Sequence, residues 1–294
     1  MILRMHPVIK LLRPHQYIKS GFVLLGPLFA HQWALTTLLD AGLIFIAFSA
    51  MASAVYVLND IMDIESDREH PVKCKRPLAS GAIPLARAKQ LLAGLVTGAV
   101  LLSLTVSPWV TLFISLYFGI NILYSWRLKH VVILDVFIIS AGFMLRILSG
   151  TIGLAITPSA WLLLCGLMVT LLLGFAKRRA ELLMLESAGN GHTNLTRKVL
   201  DDYSPAVLEQ LISVTAACTI LSYGLYTVSP QTVALHGSEE LIYTLPFVMY
   251  GIFRYLFLLH HKARGNDTAR DLLADRHLLI TVVSWIATTL WVLS

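Results

Sequence analysis

Four polar side chains near residue 60 have the types and the spacing for metal and phosphate chemistry. Asn59, Asp60, Asp63 and Asp67 recur at intervals of three or four residues, so on a helix they share one face over roughly 12 Å. Carboxylates this close repel one another unless cations neutralise them. Hard oxygen ligands suit Mg²⁺ bound together with a phosphorylated ligand. We therefore predict a face that holds Mg²⁺ on a diphosphate; the plainer alternative is a solvated acidic helix end.

A basic segment follows these acidic residues directly. Lys73, Lys75 and Arg76 precede a turn-rich stretch, residues 77–84, which should fold the loop back. A leaving diphosphate is stabilised by preplaced Mg²⁺ and by Lys or Arg groups. These three cations are therefore expected to bind the anion that the metal holds. The alternative is the general enrichment of Lys and Arg in cytoplasmic loops. That enrichment would explain why basic residues occur here, but not why they lie beside the carboxylates.

The elements that position these residues are predicted to be membrane helices. Of the 294 residues, 56% are hydrophobic and only 14% are charged, which excludes an ordinary water-soluble domain. A span needs roughly 20 mostly apolar residues. The first apolar run contains Gly26, Pro27 and His31, so a re-entrant segment is an alternative there. The pattern predicts an all-α polytopic bundle with nine spans and a central cavity, near residues 21–38, 42–60, 90–106, 108–126, 132–153, 160–176, 210–228, 241–259 and 277–293.

The basic residues fall on alternate connections and thereby predict the orientation. The chain is expected to be one integral membrane domain, residues 1–294, with a cytoplasmic N-terminus and cytoplasmic cap loops near residues 62–89 and 177–209. The net charge of +6 then reflects topology or anionic ligands, and it gives no reason to expect nucleic acid. The basic clusters are Arg4 to Lys19, Arg68 to Lys89, Arg127 with Lys129, Lys177 to Lys198, and Lys262 to Arg276.

Several motifs together resemble a known enzyme family. The pattern Asn59-Asp-x-x-Asp-x-x-x-Asp67 with nine predicted spans resembles the UbiA superfamily of intramembrane prenyltransferases, whose first aspartate motif binds Mg²⁺ and a diphosphate. Within it, the chain is similar to the decaprenyl-phosphate phosphoribosyltransferase branch over nearly its whole length. The motifs that carry this similarity are Asp67-Arg-Glu-His-Pro71, Lys75-Arg-Pro77, Ala79-Ser-Gly81, Arg13-Pro-x-Gln16-x-x-Lys19, Leu128-Lys-His130, Lys177-Arg-x-Ala-Glu181 and Ala274-Asp-Arg276.

This resemblance implies a specific reaction in a bacterial-type inner membrane, with the active site on the cytoplasmic side. The 5-phosphoribosyl group would move from 5-phosphoribosyl 1-diphosphate to a polyprenyl phosphate, and diphosphate would leave. The lipid phosphate is already ionised at neutral pH, so it needs no strong general base. Inversion at carbon 1 should result. In the resembling branch the product feeds arabinose donors for cell-envelope polymers.

The resemblance also implies roles for individual residues. Asp60, Asp63 and Asp67 would be catalytic Mg²⁺ ligands, with Asn59 beside them. Further donor-binding residues would be Tyr124, Lys129, His130, Lys177, Arg178 and Glu181, and lipid-phosphate-binding residues would be Arg13, Gln16 and Lys19.

Several residues keep two interpretations. His130 binds a ligand phosphate or is an interfacial histidine, and Lys177 with Arg178 meets the donor or anchors the helix at the lipid headgroups. Asp135 is followed four residues later by Ile139, so the second aspartate motif of many superfamily members is incomplete and metal ligation from that side is not expected. Arg146, eleven residues after Asp135, lies on nearly the same helical face as Asp135 but deeper in the span. There it meets either a ligand or a structural partner. Asp275 and Arg276 match the family motif, and an exposed salt bridge is the alternative.

Two other functions remain open at this point. A prenyltransferase of the same superfamily would move a prenyl group from its diphosphate to an aromatic acceptor. A transporter would need charged groups along a path across the bilayer, whereas the charges here crowd one side. The expected partners are the two substrates and membrane lipids; a homo-oligomer is one possible assembly.

Overall fold

The computed structural model describes residues 6–69, 73–188, 202–261 and 274–293. Within these ranges every regular element is a helix. Some predicted basic or motif positions lie outside them, namely Arg4, His70, Pro71, Arg197, Lys198, Lys262, Arg264 and Arg270. The α-helices are α1 (Pro7–Leu12), α2 (Leu25–Phe29), α3 (Leu35–Met62), α4 (Ile64–Glu69), α5 (Leu85–Leu104), α6 (Pro108–Trp126), α7 (Leu134–Gly150), α8 (Ala160–Ala188), α9 (Pro205–Thr227), α10 (Pro230–His236), α11 (Leu245–His261) and α12 (Arg276–Val292).

Seven helical segments among the described residues are long and apolar enough to cross a membrane. Helix α12 is apolar but has only 17 residues. The nine predicted spans are therefore not confirmed. The seven segments are Leu35–Met62, Leu85–Leu104, Pro108–Trp126, Leu134–Leu154, Ala160–Met184, Pro205–Thr227 and Glu240–His261.

The first predicted span, residues 21–38, is not a single helix. A 3₁₀ helix, Pro14–Leu24, leads into the five-residue α2, and α3 begins only at Leu35. His31, in the connection, has a φ of 51°, a left-handed conformation that ends regular helix geometry. Apolar composition thus marked the segment as a span, whereas local backbone conformation divides it.

The chain packs as two compact units, and the first comprises residues 1–27, 33–128 and 145–156. Its core is made by α3, α5 and α6, with buried Ile44, Phe48, Met51 and Ile114. Gly150, at the end of α7, lies against the backbone at Val23. A Cβ on Gly150 would stand 1.8 Å from the Val23 carbonyl oxygen, so only glycine fits this crossing.

Hydroxyl groups attach the N-terminal segment to α3 within this unit. Ser53 Oγ donates to the Leu12 carbonyl at 2.9 Å, and the Tyr17 hydroxyl lies 3.0 Å from Ser53 Oγ. One turn earlier on α3, Ser49 Oγ donates to Ser20 Oγ. Hydrogen bonds between small polar side chains let segments approach closely inside a membrane. They place residue 13 beside the end of α3.

The second unit comprises residues 28–32, 129–144 and 157–294. Helix α8 packs along α9, and Arg179 Nη2 on α8 lies 2.9 Å from Glu209 Oε1 on α9. The core between these helices and α11 contains Phe175, Ile212 and Leu258. Helix α9 begins with a cap, because Ser204 Oγ accepts a hydrogen bond from the Val207 amide ahead of a Pro at the first helical position.

Candidate active site

The acidic motif spans a junction between two helices. Helix α3 ends at Met62, Asp63 has φ −97° and ψ 9°, and α4 begins at Ile64. Backbone hydrogen bonds continue through the junction, since the Asp63 amide donates to Asn59 and the Asp67 amide donates to Asp63. The residues therefore lie on a bent helical path, where one straight helix was expected.

A single arginine connects two of the predicted metal ligands. Asp60 and Asp67 are buried, with 2% and 3% of their surfaces exposed. Arg76 Nη1 donates to Asp60 Oδ1 at 3.2 Å and to Asp67 Oδ2 at 2.7 Å. The sequence predicted Arg76 at a ligand phosphate; here its guanidinium bridges the two carboxylates.

A second arginine pairs with one of these carboxylates, Asp60. Arg13 Nη2 donates to Asp60 Oδ1 at 2.7 Å, and its guanidinium lies 4.8 Å from the centre of the Tyr56 ring. Arg13 has a φ of 53°, because it joins α1 to the following 3₁₀ helix. Two guanidinium groups thus balance two buried carboxylates, as charges removed from water require. Arg13 was expected at the lipid phosphate, and the structure places it at Asp60.

The amide of Asn59 is oriented by α6. Ser125 Oγ donates to Asn59 Oδ1 and also lies within hydrogen-bonding distance of the Asn121 carbonyl oxygen. Tyr124, the neighbouring candidate, is half-buried. Ser125 was missed by sequence reasoning, and only its position beside Tyr124 could have drawn attention to it.

The acidic residues provide carboxylate oxygens, the type of ligand that Mg²⁺ prefers. Two carboxylate oxygens already share one cation, the guanidinium of Arg76. Across the described ranges, no three His, Cys, Asp or Glu side chains come together as a metal site by themselves. Proteins commonly hold Mg²⁺ through one or two carboxylates and complete its shell with substrate phosphates. The arrangement suits a metal that arrives together with a phosphorylated ligand.

A second ionic cluster lies in the second unit. Arg178 and Asp135 are both completely buried, and Arg178 Nε lies 2.6 Å from Asp135 Oδ2. Arg178 Nη1 also pairs with Glu181 Oε2, and Lys177 Nζ lies 3.9 Å from Glu181 Oε1. Asp135 is therefore paired with a buried arginine.

Tyr203 completes this second cluster, and sequence reasoning missed it. Its hydroxyl donates to Asp135 Oδ1 at 2.9 Å and accepts from the Ile133 amide at 2.7 Å. Burial raises the pKa of Tyr203 above its usual range, so the hydroxyl stays protonated. Nothing in the local pattern around residue 203 marks it, because its partners lie about 70 positions earlier.

The intramembrane arginine of α7 contacts aromatic rings in the first unit. Arg146 Nη2 donates to the Tyr117 hydroxyl at 3.2 Å. Its guanidinium lies 4.6 Å from the Tyr117 ring centre and 5.3 Å from that of Phe48. Such cation–π contacts lower the cost of a charge inside the bundle. These contacts favour the structural interpretation of Arg146.

Asp275 also has a structural partner. Its carboxylate accepts from Arg254 Nη2 at 2.9 Å and from the Leu278 amide at 3.1 Å, so it caps α12. The hydrogen bond from Arg254 lowers the pKa of Asp275 to about 2. The neighbouring Arg276 is exposed. Asp275 thus forms a salt bridge, but the pair is largely buried where an exposed one was the alternative, and its partner Arg254 was not indicated by the sequence.

The remaining predicted residues lie at or near the surface. Lys10, from α1, holds the basic loop through a 3.0 Å hydrogen bond from its Nζ to the Lys75 carbonyl. Gln16 accepts a hydrogen bond from the Tyr56 hydroxyl. The side chains of Lys73, Lys75 and His130 are exposed, and those of Lys19, Asp63 and Lys129 are partly buried.

Known proteins are similar to this chain over nearly its whole length. The decaprenyl-phosphate phosphoribosyltransferase of Corynebacterium glutamicum is 33% identical over 95% of this chain and 84% of its own length. The enzyme of that name from Mycolicibacterium smegmatis is 32% identical over 96% of this chain and 90% of its own length. These relatives confirm the resemblance that the motifs indicated.

Solved structures share the fold. A UbiA homolog from Archaeoglobus fulgidus, bound to GPP and Mg²⁺, superposes with a TM-score of 0.72 at 15% identity, over 98% of this chain and 99% of that one. The model of the UbiA prenyltransferase family matches residues 20–279. Together with the seven apolar helices, these matches make the chain a multi-pass membrane protein, and it belongs to the UbiA prenyltransferase family.

Proposed function

We propose that this protein transfers the 5-phosphoribosyl group of 5-phosphoribosyl 1-diphosphate to a polyprenyl phosphate. The observation that carries the proposal is the identity of 32–33% to enzymes named for this activity, over at least 95% of the chain. In this reaction a phosphate oxygen of the lipid forms a bond to carbon 1 of the ribose. The bond from carbon 1 to the diphosphate breaks, and diphosphate leaves with the electron pair.

The acidic cluster of the first unit is proposed to hold the diphosphate end of the donor. Asp60, Asp63 and Asp67, with Asn59 beside them, would bind Mg²⁺, which neutralises charge on the leaving diphosphate. The pairing of Asp60 and Asp67 with Arg76 supports this assignment, since these carboxylates already face a shared cation. When the donor binds, Arg76 exchanges its carboxylate partners for phosphate oxygens, to which guanidinium groups bind well.

The exposed basic residues are proposed to bind the donor's phosphates. Lys73 and Lys75 lie on the same short loop as Arg76 and are exposed. Lys129, His130 and Tyr124 are assigned to the donor as well. A donor with phosphate at both ends needs more cationic groups than a prenyl diphosphate does, because each phosphate must be desolvated and balanced.

The pair of Lys177 and Glu181 is also proposed to bind the donor. The Lys177 side chain is 37% exposed, whereas Arg178 is completely buried and paired with Asp135 and Glu181. Arg178 therefore acts by fixing Glu181 and hence the neighbouring lysine. Gln16 and Lys19 are assigned to the lipid phosphate, with Arg13 able to join them once Asp60 binds a metal.

The topology is proposed to contain nine crossings in one membrane domain. Seven crossings are the long helices, and α12 would be the eighth. The ninth would be the broken segment of residues 14–29, which together with its flanks is long enough for a tilted or irregular crossing. We assign the N-terminus and the active site to the cytoplasmic face of a bacterial inner membrane, an assignment that the distribution of basic residues supports. The segments near residues 62–89 and 177–209 are proposed to form the cap; residues 70–72 and 189–201 of these segments lie outside the described residues.

A transfer assay tests the proposed function. Purified protein in detergent is given Mg²⁺, labelled 5-phosphoribosyl 1-diphosphate and polyprenyl phosphate, beside a parallel reaction with a prenyl diphosphate and aromatic acceptors. Label should enter the lipid phase only when Mg²⁺ and polyprenyl phosphate are both present. Reaction of the prenyl diphosphate alone would identify a prenyltransferase, and conversion of neither donor would favour the transporter.

A further inference from the structure

A strained turn precedes α7 in the second unit. The Leu134 amide donates to the Val132 carbonyl at 2.7 Å, and Ile133 between them has a φ of 67°. This is a three-residue γ-turn with a positive central φ, the rarer and more strained form. A β-branched side chain makes that conformation costlier still. Strained residues persist only where the surrounding structure holds them, and they cluster at functional sites.

The group that holds this turn is the side chain of Tyr203. Its hydroxyl accepts from the amide of Ile133 itself at 2.7 Å and donates to Asp135 Oδ1 at 2.9 Å. It thus contacts the central residue of the turn and the first turn of α7. The tyrosine is only 5% exposed and packs among buried side chains that include Leu208 and Leu278. The next residue in the chain, Ser204, is the N-cap of α9.

The segment before the turn carries two of the assigned donor-binding residues. Lys129 and His130 end a 3₁₀ helix, Leu128–His130, only three residues before Ile133. After the turn, Asp135 connects to Arg178 and through it to Glu181. The conformation of the γ-turn therefore determines the position of the 3₁₀ helix relative to the ionic cluster of Asp135, Arg178 and Glu181.

We propose that Tyr203 is a positioning residue for the donor site: its hydroxyl holds the Ile133 turn in its strained form and so presents Lys129 and His130 to the donor. This inference rests on the proposed function for the identity of the ligand. The observation beneath it is the hydroxyl bridge between the strained turn and the buried carboxylate. A positioning role requires the hydroxyl, whereas a packing role requires only the ring.

The first experiment replaces Tyr203→Phe, which keeps the ring and removes the hydroxyl. Tyr223→Phe is the matched control, because its hydroxyl is also buried in the second unit but bonds to Thr244 and Trp285 instead. In the transfer assay, Tyr203→Phe should raise the KM for the ribosyl donor about tenfold and leave the KM for polyprenyl phosphate unchanged. The control should keep both constants near wild type.

A second measurement does not depend on activity. Hydrogen exchange of the segment 128–134 should quicken about tenfold in Tyr203→Phe, because the Ile133 amide loses its acceptor. The same segment should exchange at the wild-type rate in Tyr223→Phe. Wild-type exchange in Tyr203→Phe would overturn the inference even if the protein used a different substrate.

A rescue variant separates positioning from general stability. Glycine adopts positive φ without strain, so Ile133→Gly combined with Tyr203→Phe should recover most of the lost donor affinity. No recovery, or an equal loss of affinity for both substrates, would make Tyr203 a packing residue and overturn the proposal. An inactive wild-type enzyme would instead refute the proposed function, and the exchange experiment would still decide the role of the tyrosine.

Discussion

The buried pair of Arg178 and Asp135 provides a quantitative test of the second unit. Both side chains have no exposed surface, and Arg178 Nε lies 2.6 Å from Asp135 Oδ2. Arg178→Met keeps the length of the side chain and removes its charge, which leaves the Asp135 carboxylate buried without this cation. Losing one partner of a buried ion pair costs about 3–5 kcal/mol. The free energy of unfolding should fall by that amount, measured by equilibrium unfolding in mixed detergent micelles.

Two further variants turn this measurement into a test of the mechanism. Lys177→Met removes a partly exposed pair on the same helix, 3.9 Å from Glu181, and should cost less than about 1 kcal/mol. Arg178→Met combined with Asp135→Leu should recover part of the loss, because an apolar pair often replaces a buried ion pair without penalty, although the Tyr203 hydroxyl then loses its acceptor. The reasoning is refuted if Arg178→Met is as stable as Lys177→Met, or if the double variant is less stable than Arg178→Met.

Three other predictions test separate parts of the molecule. Asp63→Ala should lower turnover at least about 100-fold while thermal unfolding stays at the wild-type temperature; near-normal rates would remove this residue from the metal site. Gly150→Ala should destabilise the protein by about 1–3 kcal/mol, because the new Cβ meets a backbone oxygen at 1.8 Å, whereas Gly21→Ala has nothing within 4 Å and should be tolerated. Equal stability of these two alanine variants would contradict the close crossing. The pKa of Asp275 is lowered to about 2 through Arg254, so its ionic contribution is complete above about pH 4 and is lost as the pH falls towards 2. Asp275→Asn keeps the helix cap, so its stability deficit at pH 7 should vanish near pH 2, and a deficit independent of pH would contradict the pairing.

Much of the fold followed from apolar composition. Runs of about 20 apolar residues predicted the seven long helices because a bilayer offers no partner for backbone groups outside a helix. The same rule did not predict the break within residues 21–38, where His31 takes a left-handed conformation and the helix stops at Phe29. Amino-acid composition indicates whether a segment prefers lipid or water. It does not indicate where the backbone leaves helical geometry within that segment.

The candidate site was predictable where its residues are close in sequence. Asp60 and Asp67 are seven positions apart, a separation that the helical repeat brings to one face, and both indeed bind Arg76. Arg13 reaches the same carboxylate from 47 positions away. That contact depends on the serine hydrogen bonds that hold the N-terminal segment on α3, and no local pattern contains it.

By itself, the sequence determined that the chain crosses membranes, that acidic and basic groups adjoin at the end of one helix, and that its motifs are those of the UbiA family. These properties depend on composition and on spacings shorter than about two helical turns. Only the tertiary structure decided which charges are paired: that Arg178 is buried against Asp135, that Arg146 lies on aromatic rings, and that Tyr203 holds the turn before α7. Pairing is decided there because a buried charge must find its partner among whichever groups the packing of distant helices brings within contact distance.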